Sequence, residues 1–302
     1  MKRARLLSAA LAVASNIVLA QTVVVEPAKQ WKVGDEVRYE RVKMRSDSNA
    51  AKPASGRTHI AIKVIEANAS GFLVAWRYGR SASDSPSPAA AEAIEQMQQM
   101  IEGLEYVLEL KPSGELSALR NWQEVRDKAL ALVDKVMPPA ASATHKHAVA
   151  QTKALFATRE GVQNVLLREV QLFFMLYGWQ LDVGESKSHD ELLPNPLGGP
   201  PLPAIATVRV TSLDGDMAML RYTLAFDRAK AGKIIADSLA AVAKRMGKPT
   251  DDLAKVASSL EVNDEAELAF DVKSRWPQKL THERVSRIGD RSRADRLVYE
   301  RR

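Results

Sequence analysis

The chain has 302 residues, 46% of them hydrophobic and 26% charged, with a formal net charge of +6 and no cysteine. A chain of this length buries roughly 75% of the surface it exposes when unfolded, enough to be held together by a core alone. The missing cysteine excludes disulfides, a cysteine nucleophile and a cysteine-borne lipid anchor, and the charge balance gives no reason to expect nucleic acid as a partner.

In chain order the first signal is a positive start, Lys2, Arg3 and Arg5, followed by a mostly apolar run from Leu6 to Leu19 that closes on Val18-Leu19-Ala20. That is the layout of a cleavable export signal. Ser8, Ser15 and Asn16 interrupt the run, which falls short of the about 20 apolar residues that span a bilayer. An uncut membrane anchor is the alternative. Cleavage after Ala20 takes Lys2, Arg3 and Arg5 away and lowers the formal +6 to +3. The expected address is then periplasmic or secreted, with no transmembrane span after cleavage. The most apolar later stretch, 162–179, carries Arg168, Glu169 and Gln171.

Four segments follow from the composition: a signal peptide 1–20, an N-terminal half 21–183, a Pro/Gly-rich connection 184–203 and a C-terminal half 204–302. The halves can share one sheet and form one domain. In the first half, Trp31-Lys32-Val33-Gly34-Asp35 turns into a strand in which Val37 and Tyr39 alternate with charge. The polar stretch 45–56 reads as a loop. Ile60, Ile62 and Val64 share one face of a hairpin, Asn68-Ala69-Ser70-Gly71 turns it, and Phe72, Val74, Trp76 and Tyr78 share the return face. Residues 81–87 read as a polar loop. A helix starting at Ser87-Pro88 runs to about Glu102, with Ile94, Met97 and Ile101 on one stripe. Tyr106, Leu108 and Leu110 open a second hairpin, turned by Pro112-Ser113-Gly114 into Leu116 to Leu119. Asn121 and Glu124 form a capping box for a helix to about Met137. Pro138-Pro139 ends it, and a long helix follows from Thr144 to Tyr177, with Gly161 as the place for a kink.

Beyond the irregular 184–203 the pattern resumes. Val208 and Val210 alternate, Leu213-Asp214-Gly215-Asp216 turns, and Ala218, Leu220, Tyr222, Leu224 and Phe226 share the return face. Helices are predicted over 228–246 and 251–259, strands over Ala266 to Val272, Leu280 to Val285 and Arg296 to Glu300. Each half therefore reads hairpin, helix, hairpin, with Arg77-Tyr78 and Arg221-Tyr222 at matching places. An ancient duplication gives that pattern, and so does a generic antiparallel sheet. The predicted fold class is α+β: antiparallel hairpins with helical insertions packed on one face.

Reactive constellations are scarce. His145 and His147 stand at a helix start without a third ligand nearby. No Gly-x-Ser-x-Gly, Gly-x-Gly-x-x-Gly or Gly-x4-Gly-Lys-Ser/Thr occurs. Asp214-Gly215-Asp216 lacks the twelve-residue calcium pattern and is explained by a tight turn. His59, His189 and His282 are isolated in sequence, and a hydrolase would need one of them beside an acid in a cleft. The remaining lead is aromatic: Phe173, Phe174, Tyr177 and Trp179 crowd the end of the long helix. They can line an apolar ligand cavity between helices and a curved sheet, or simply pack a core.

The opening Trp31-Lys32-Val33-Gly34-Asp35 and the step Leu110-Lys111-Pro112-Ser113-Gly114-Glu115-Leu116 followed by Asn121-Trp122-Gln123-Glu124-Val125 resemble a family of exported bacterial proteins with no assigned activity. The resemblance covers about half the chain. It implies a bacterial envelope protein and carries over no catalytic residue. The sequence thus favours a non-enzymatic envelope protein, without cofactor or metal, that binds a partner or an apolar ligand between sheet and helices. The ligand-binding candidates are Phe173, Phe174, Tyr177 and Trp179. A carboxylate/histidine hydrolase and a structural adaptor are the alternatives.

Overall fold

The computed structural model describes residues 21–27, 30–48, 53–84, 102, 104–136, 149–150, 153–193, 195, 200–245 and 259–302. The expected signal peptide, the helix from Ser87 up to residue 101, the Pro138-Pro139 stop, the His145/His147 pair and residues 251–258 of the last expected helix lie outside them. The strands are β1 (Thr22–Val25), β2 (Glu36–Asp47), β3 (Ala54–Asn68), β4 (Gly71–Asp84), β5 (Glu105–Leu110), β6 (Leu116–Leu119), β7 (Trp179–Asp182), β8 (Ser186–Leu193), β9 (Leu202–Asp214), β10 (Met217–Phe226), β11 (Glu261–Asp271), β12 (Trp276–Ile288) and β13 (Arg291–Arg301). The helices are α1 (Trp122–Val136), α2 (Arg159–Leu166), α3 (Arg168–Phe174) and α4 (Arg228–Arg245). Eleven strands form one antiparallel sheet in the order β6-β5-β4-β3-β2-β13-β12-β11-β10-β9-β8, and β1 pairs with β7 alone.

This corrects the α+β expectation. Among the described residues the molecule is mostly β, 56% strand against 23% helix. The strands outrun the hydrophobic alternation that announces them. β2 continues through Lys43-Met44-Arg45-Ser46-Asp47 because β3 and β13 both offer it backbone partners, and ladder hydrogen bonds do not depend on side-chain polarity. β4 likewise absorbs most of the polar loop expected over 81–87. The irregular connection expected over 184–203 contains β8, whose Ser-Lys-Ser-His-Asp-Glu sequence has no apolar phase to announce it. The long helix expected from Thr144 to Tyr177 is broken: Thr158 caps α2 by accepting from Gly161 N at 3.1 Å, and Leu167 leaves helical geometry before α3 begins. Gly161 lies in the first turn of α2 and kinks nothing. The capping box at Asn121 is also replaced. Its Oδ1 accepts from Val107 N at 2.9 Å, so the side chain ties α1 to β5 instead of capping α1.

Register explains why the sheet has one dry face. Leu220, Leu268, Leu280 and Tyr299 are successive cross-strand partners, and each is at most 1% exposed. Val64, Val74 and Leu108 make a second such row. Against this face α3 lays Val170, Phe173 and Phe174. The Phe173 ring meets Tyr39, Trp76 and Tyr299 edge-on at centroid distances of 5.1, 5.2 and 5.3 Å, and such aromatic pairs each contribute about 0.5–1.5 kcal/mol beyond their buried area. At one end of the sheet Trp31 stacks on Trp276, centroids 3.7 Å apart. A separate core forms where α4 sets Ala231, Ile235 and Leu239 on Leu202, Ala204 and Leu224.

Two turns need glycine. Gly71 has φ +133°, and a Cβ there would stand 2.1 Å from the Leu110 carbonyl oxygen. Gly114, at φ +87°, leaves the room that the Tyr177 ring and Pro27 fill.

Both sheet edges face the same space, β6 through Leu116 to Ala118 and β8 through His189 to Leu193. The sheet therefore curls toward closure, as large twisted sheets do. Helices α2 and α3 occupy the gap between its edges. Arg159 Nη2 donates to the Leu119 carbonyl at 3.1 Å and Gln163 Oε1 accepts from Leu119 N at 3.0 Å, which satisfies backbone that an edge strand would otherwise leave open.

Candidate functional site

The space between α2–α3 and the two edges is a cavity of about 950 Å³, at the upper end of the range of about 300–1,000 Å³ for small-molecule sites. Leu167, Leu172, Phe174 and Met175 line its helical side, Trp179, Leu192 and Leu193 one wall, Leu116 and Ala118 the other. Tyr222, Leu224, Asp264 and Arg284 come from the sheet face beneath.

Of the four aromatics singled out in the sequence, Phe174, Tyr177 and Trp179 line this cavity and Phe173 does not. Phe173 is a core residue, fixed among Tyr39, Trp76 and Tyr299. Phe174 and Tyr177 are each 2% exposed, so they offer edges to the cavity while packing the core behind it. Tyr177 also donates its hydroxyl to the Arg275 carbonyl at 3.0 Å. Trp179 is more open and its ring leans on His189, centroids 5.4 Å apart.

The polar members are set by the same strand phase that builds the core. On β11 that phase runs Val262, Asp264, Ala266, Leu268, Phe270, and on β12 it runs Leu280, His282, Arg284. Asp264 is thus delivered to the dry face at 3% exposure, where Arg284 donates to both its carboxylate oxygens. His282 Nε2 lies 3.5 Å from Asp264 Oδ2. Burial works to raise the Asp264 pKa, but the hydrogen bonds and charge of Arg284, with His282 close by, hold it below the usual carboxylate range. This aspartate remains an anion committed to Arg284, which makes it a poor proton acceptor. Burial, with the negative charges of Glu191 and Asp264, pushes the Tyr222 hydroxyl above its ordinary pKa, so it stays protonated.

Two adjacent residues at the start of α3 point their charges to different fates. Glu169 is bound by Arg41 and, at 2.8 Å, by Lys43. Burial opposes its ionisation and these two cations overcome it, leaving the pKa lowered. Arg168 lines the cavity, is exposed to it, and forms no hydrogen bond or ion pair among the described residues.

The three histidines set aside for a hydrolase are scattered. His59 lies exposed on the opposite face, paired in register with Glu40. His189 meets Glu191 at 2.9 Å on the edge strand, and His282 is buried beside Asp264. Among the described residues no group of three or more His, Asp or Glu is placed to hold a metal ion, and no helix is long and apolar enough to cross a membrane. Arg168, Asp264 and Arg284 carry no motif. Their one sequence signal is a charged residue in the buried phase of an alternating strand, as Asp264 is between Val262 and Ala266.

No protein-family model and no curated protein matches the chain. Among solved structures, Rv2717c from M. tuberculosis is similar over 89% of this chain and 92% of its own, at 8% identity and a TM-score of 0.25, a likeness too slight to assign a family or a fold.

Proposed function

We propose that this is an exported bacterial envelope protein that binds an apolar molecule, without chemistry, in the cavity between α2–α3 and the curled sheet. The observation that carries this is the cavity itself, about 950 Å³ and walled by leucines, Phe174, Met175 and Trp179 from both sheet edges and the helices. Most of the charges around it are already paired inside the protein, which suits a binder better than an enzyme. Export rests on the Lys2-Arg3 start and the apolar run that ends at Ala20.

Native mass spectrometry of protein purified from its own cell envelope, under conditions that keep lipid adducts, tests the reading. A discrete adduct is expected, and it should be lost in Ala118→Trp, which fills the cavity from the β6 side. Bare protein from a fresh envelope extract contradicts it.

A further inference from the structure

The charged side chains lining the cavity are Glu115, Arg168, Glu191, Asp264 and Arg284. Three of them are neutralised locally: Glu115 takes Lys111 at 3.3 Å, and Asp264 and Arg284 take each other. Glu191 is hydrogen-bonded to His189 at 2.9 Å and is not among the acids that act on Arg168. Arg168 is left over. The acids within its electrostatic reach are Asp264, Asp295 and Glu169. Each is already held at contact distance by another cation: Asp264 by Arg284, Asp295 by Arg293, and Glu169 by Arg41 and Lys43. The cavity therefore combines an apolar wall with a guanidinium that no acid within its reach is free to neutralise. Although Arg168 is open to the cavity, partial desolvation between its walls and the neighbouring positive charge of Arg284 both disfavour its charged form, and its pKa is lowered accordingly. An anion arriving beside it would relieve that penalty.

Resting on the reading of the cavity as a binding site, we infer that its ligand is an anionic amphiphile with a single acyl chain, the head taken by Arg168 and the chain laid along Leu172, Leu193 and Leu224. A charge-assisted hydrogen bond to an accessible guanidinium discriminates a carboxylate from its ester by about tenfold in affinity.

The test is fluorescence titration of the purified protein with cis-parinaric acid and, separately, its methyl ester. The wild type is expected to bind the acid about tenfold more tightly than the ester, with the difference shrinking as salt is added. Arg168→Gln is expected to bind both alike, Arg168→Lys to keep part of the preference, and Ala118→Trp to weaken both probes. Thermal melting of each variant checks that it is folded. If wild type and Arg168→Gln bind acid and ester with one affinity, the anionic-head inference is overturned while the cavity reading stands. If the wild type binds neither probe, both fall.

Discussion

Arg168 and Glu169 are neighbours in sequence at the head of α3, yet the molecule treats them oppositely. Glu169 faces the β2 side of the sheet, where Arg41 and Lys43 close on it and the Tyr299 hydroxyl donates to its carbonyl at 3.1 Å. Arg168 faces the cavity, and each acid within its reach is already held by another cation. One side of the helix is stitched to the sheet and the other is left unfinished. The difference separates residues that hold the fold from residues available to something outside it. Phe173 and Trp179 repeat the contrast among the aromatics: one is enclosed by Tyr39, Trp76 and Tyr299, the other stands at the cavity wall.

That division can be broken by mutation, with the largest effect on the enclosed side. Phe173→Ala removes a ring that is 2% exposed and touches three strands, and should lower unfolding free energy by about 3–5 kcal/mol in urea denaturation, because the surrounding sheet cannot collapse into the void. Asp264→Asn leaves Arg284 without its anion in a largely buried place and should cost about 2–4 kcal/mol by the same measurement. Glu169→Gln should cost about 1.5–3 kcal/mol, since Arg41 loses a charged partner while remaining mostly buried. Arg168→Gln, one residue away, should change stability by less than about 0.5 kcal/mol. If Arg168→Gln destabilises as much as Glu169→Gln, the two sides of α3 do not differ as described.

Acid separates the two residues as well. Asp264 and Glu169 both have folded-state pKa values below their ordinary ones. Their contribution is fully present above the unfolded-chain values of about 3.9 and 4.3 and is lost as pH falls below them through the depressed folded values. Denaturation midpoints measured against pH should drop more steeply on the acid side for wild type than for Asp264→Asn. Arg168→Gln should leave that slope unchanged.

Much of the sheet was legible in the sequence where alternation and turn chemistry coincide. Asn68 to Gly71 and Leu213 to Asp216 each combine a turn signature with flanking apolar alternation, and hairpins stand there. Strands β1 and β7 escaped notice although Val23, Val25 and Leu181 are buried; other missed stretches owe their pairing nothing to burial. β8 is almost wholly exposed and is held by the backbone of β9. The far end of β2 is polar on both faces and is held by two neighbours. Helical spacing from Val162 to Phe173 was real, but Leu155 is exposed, and periodicity registers neither the break over 156–158 nor the one at Leu167. The site divides similarly. Aromatic crowding pointed to Phe174, Tyr177 and Trp179, whereas Asp264 and Arg284 are register partners on β11 and β12 and Arg168 is brought to the same space from α3, far away in the chain. A charge in the buried phase of β11 was the one local clue.

The most direct test of a cavity left open for an outside molecule is a crystal structure of the protein grown with cis-parinaric acid. One acyl chain is expected between α3 and β8, with its carboxylate on the Arg168 guanidinium. A chain bound elsewhere on the molecule, with this space filled by side chains, would contradict it.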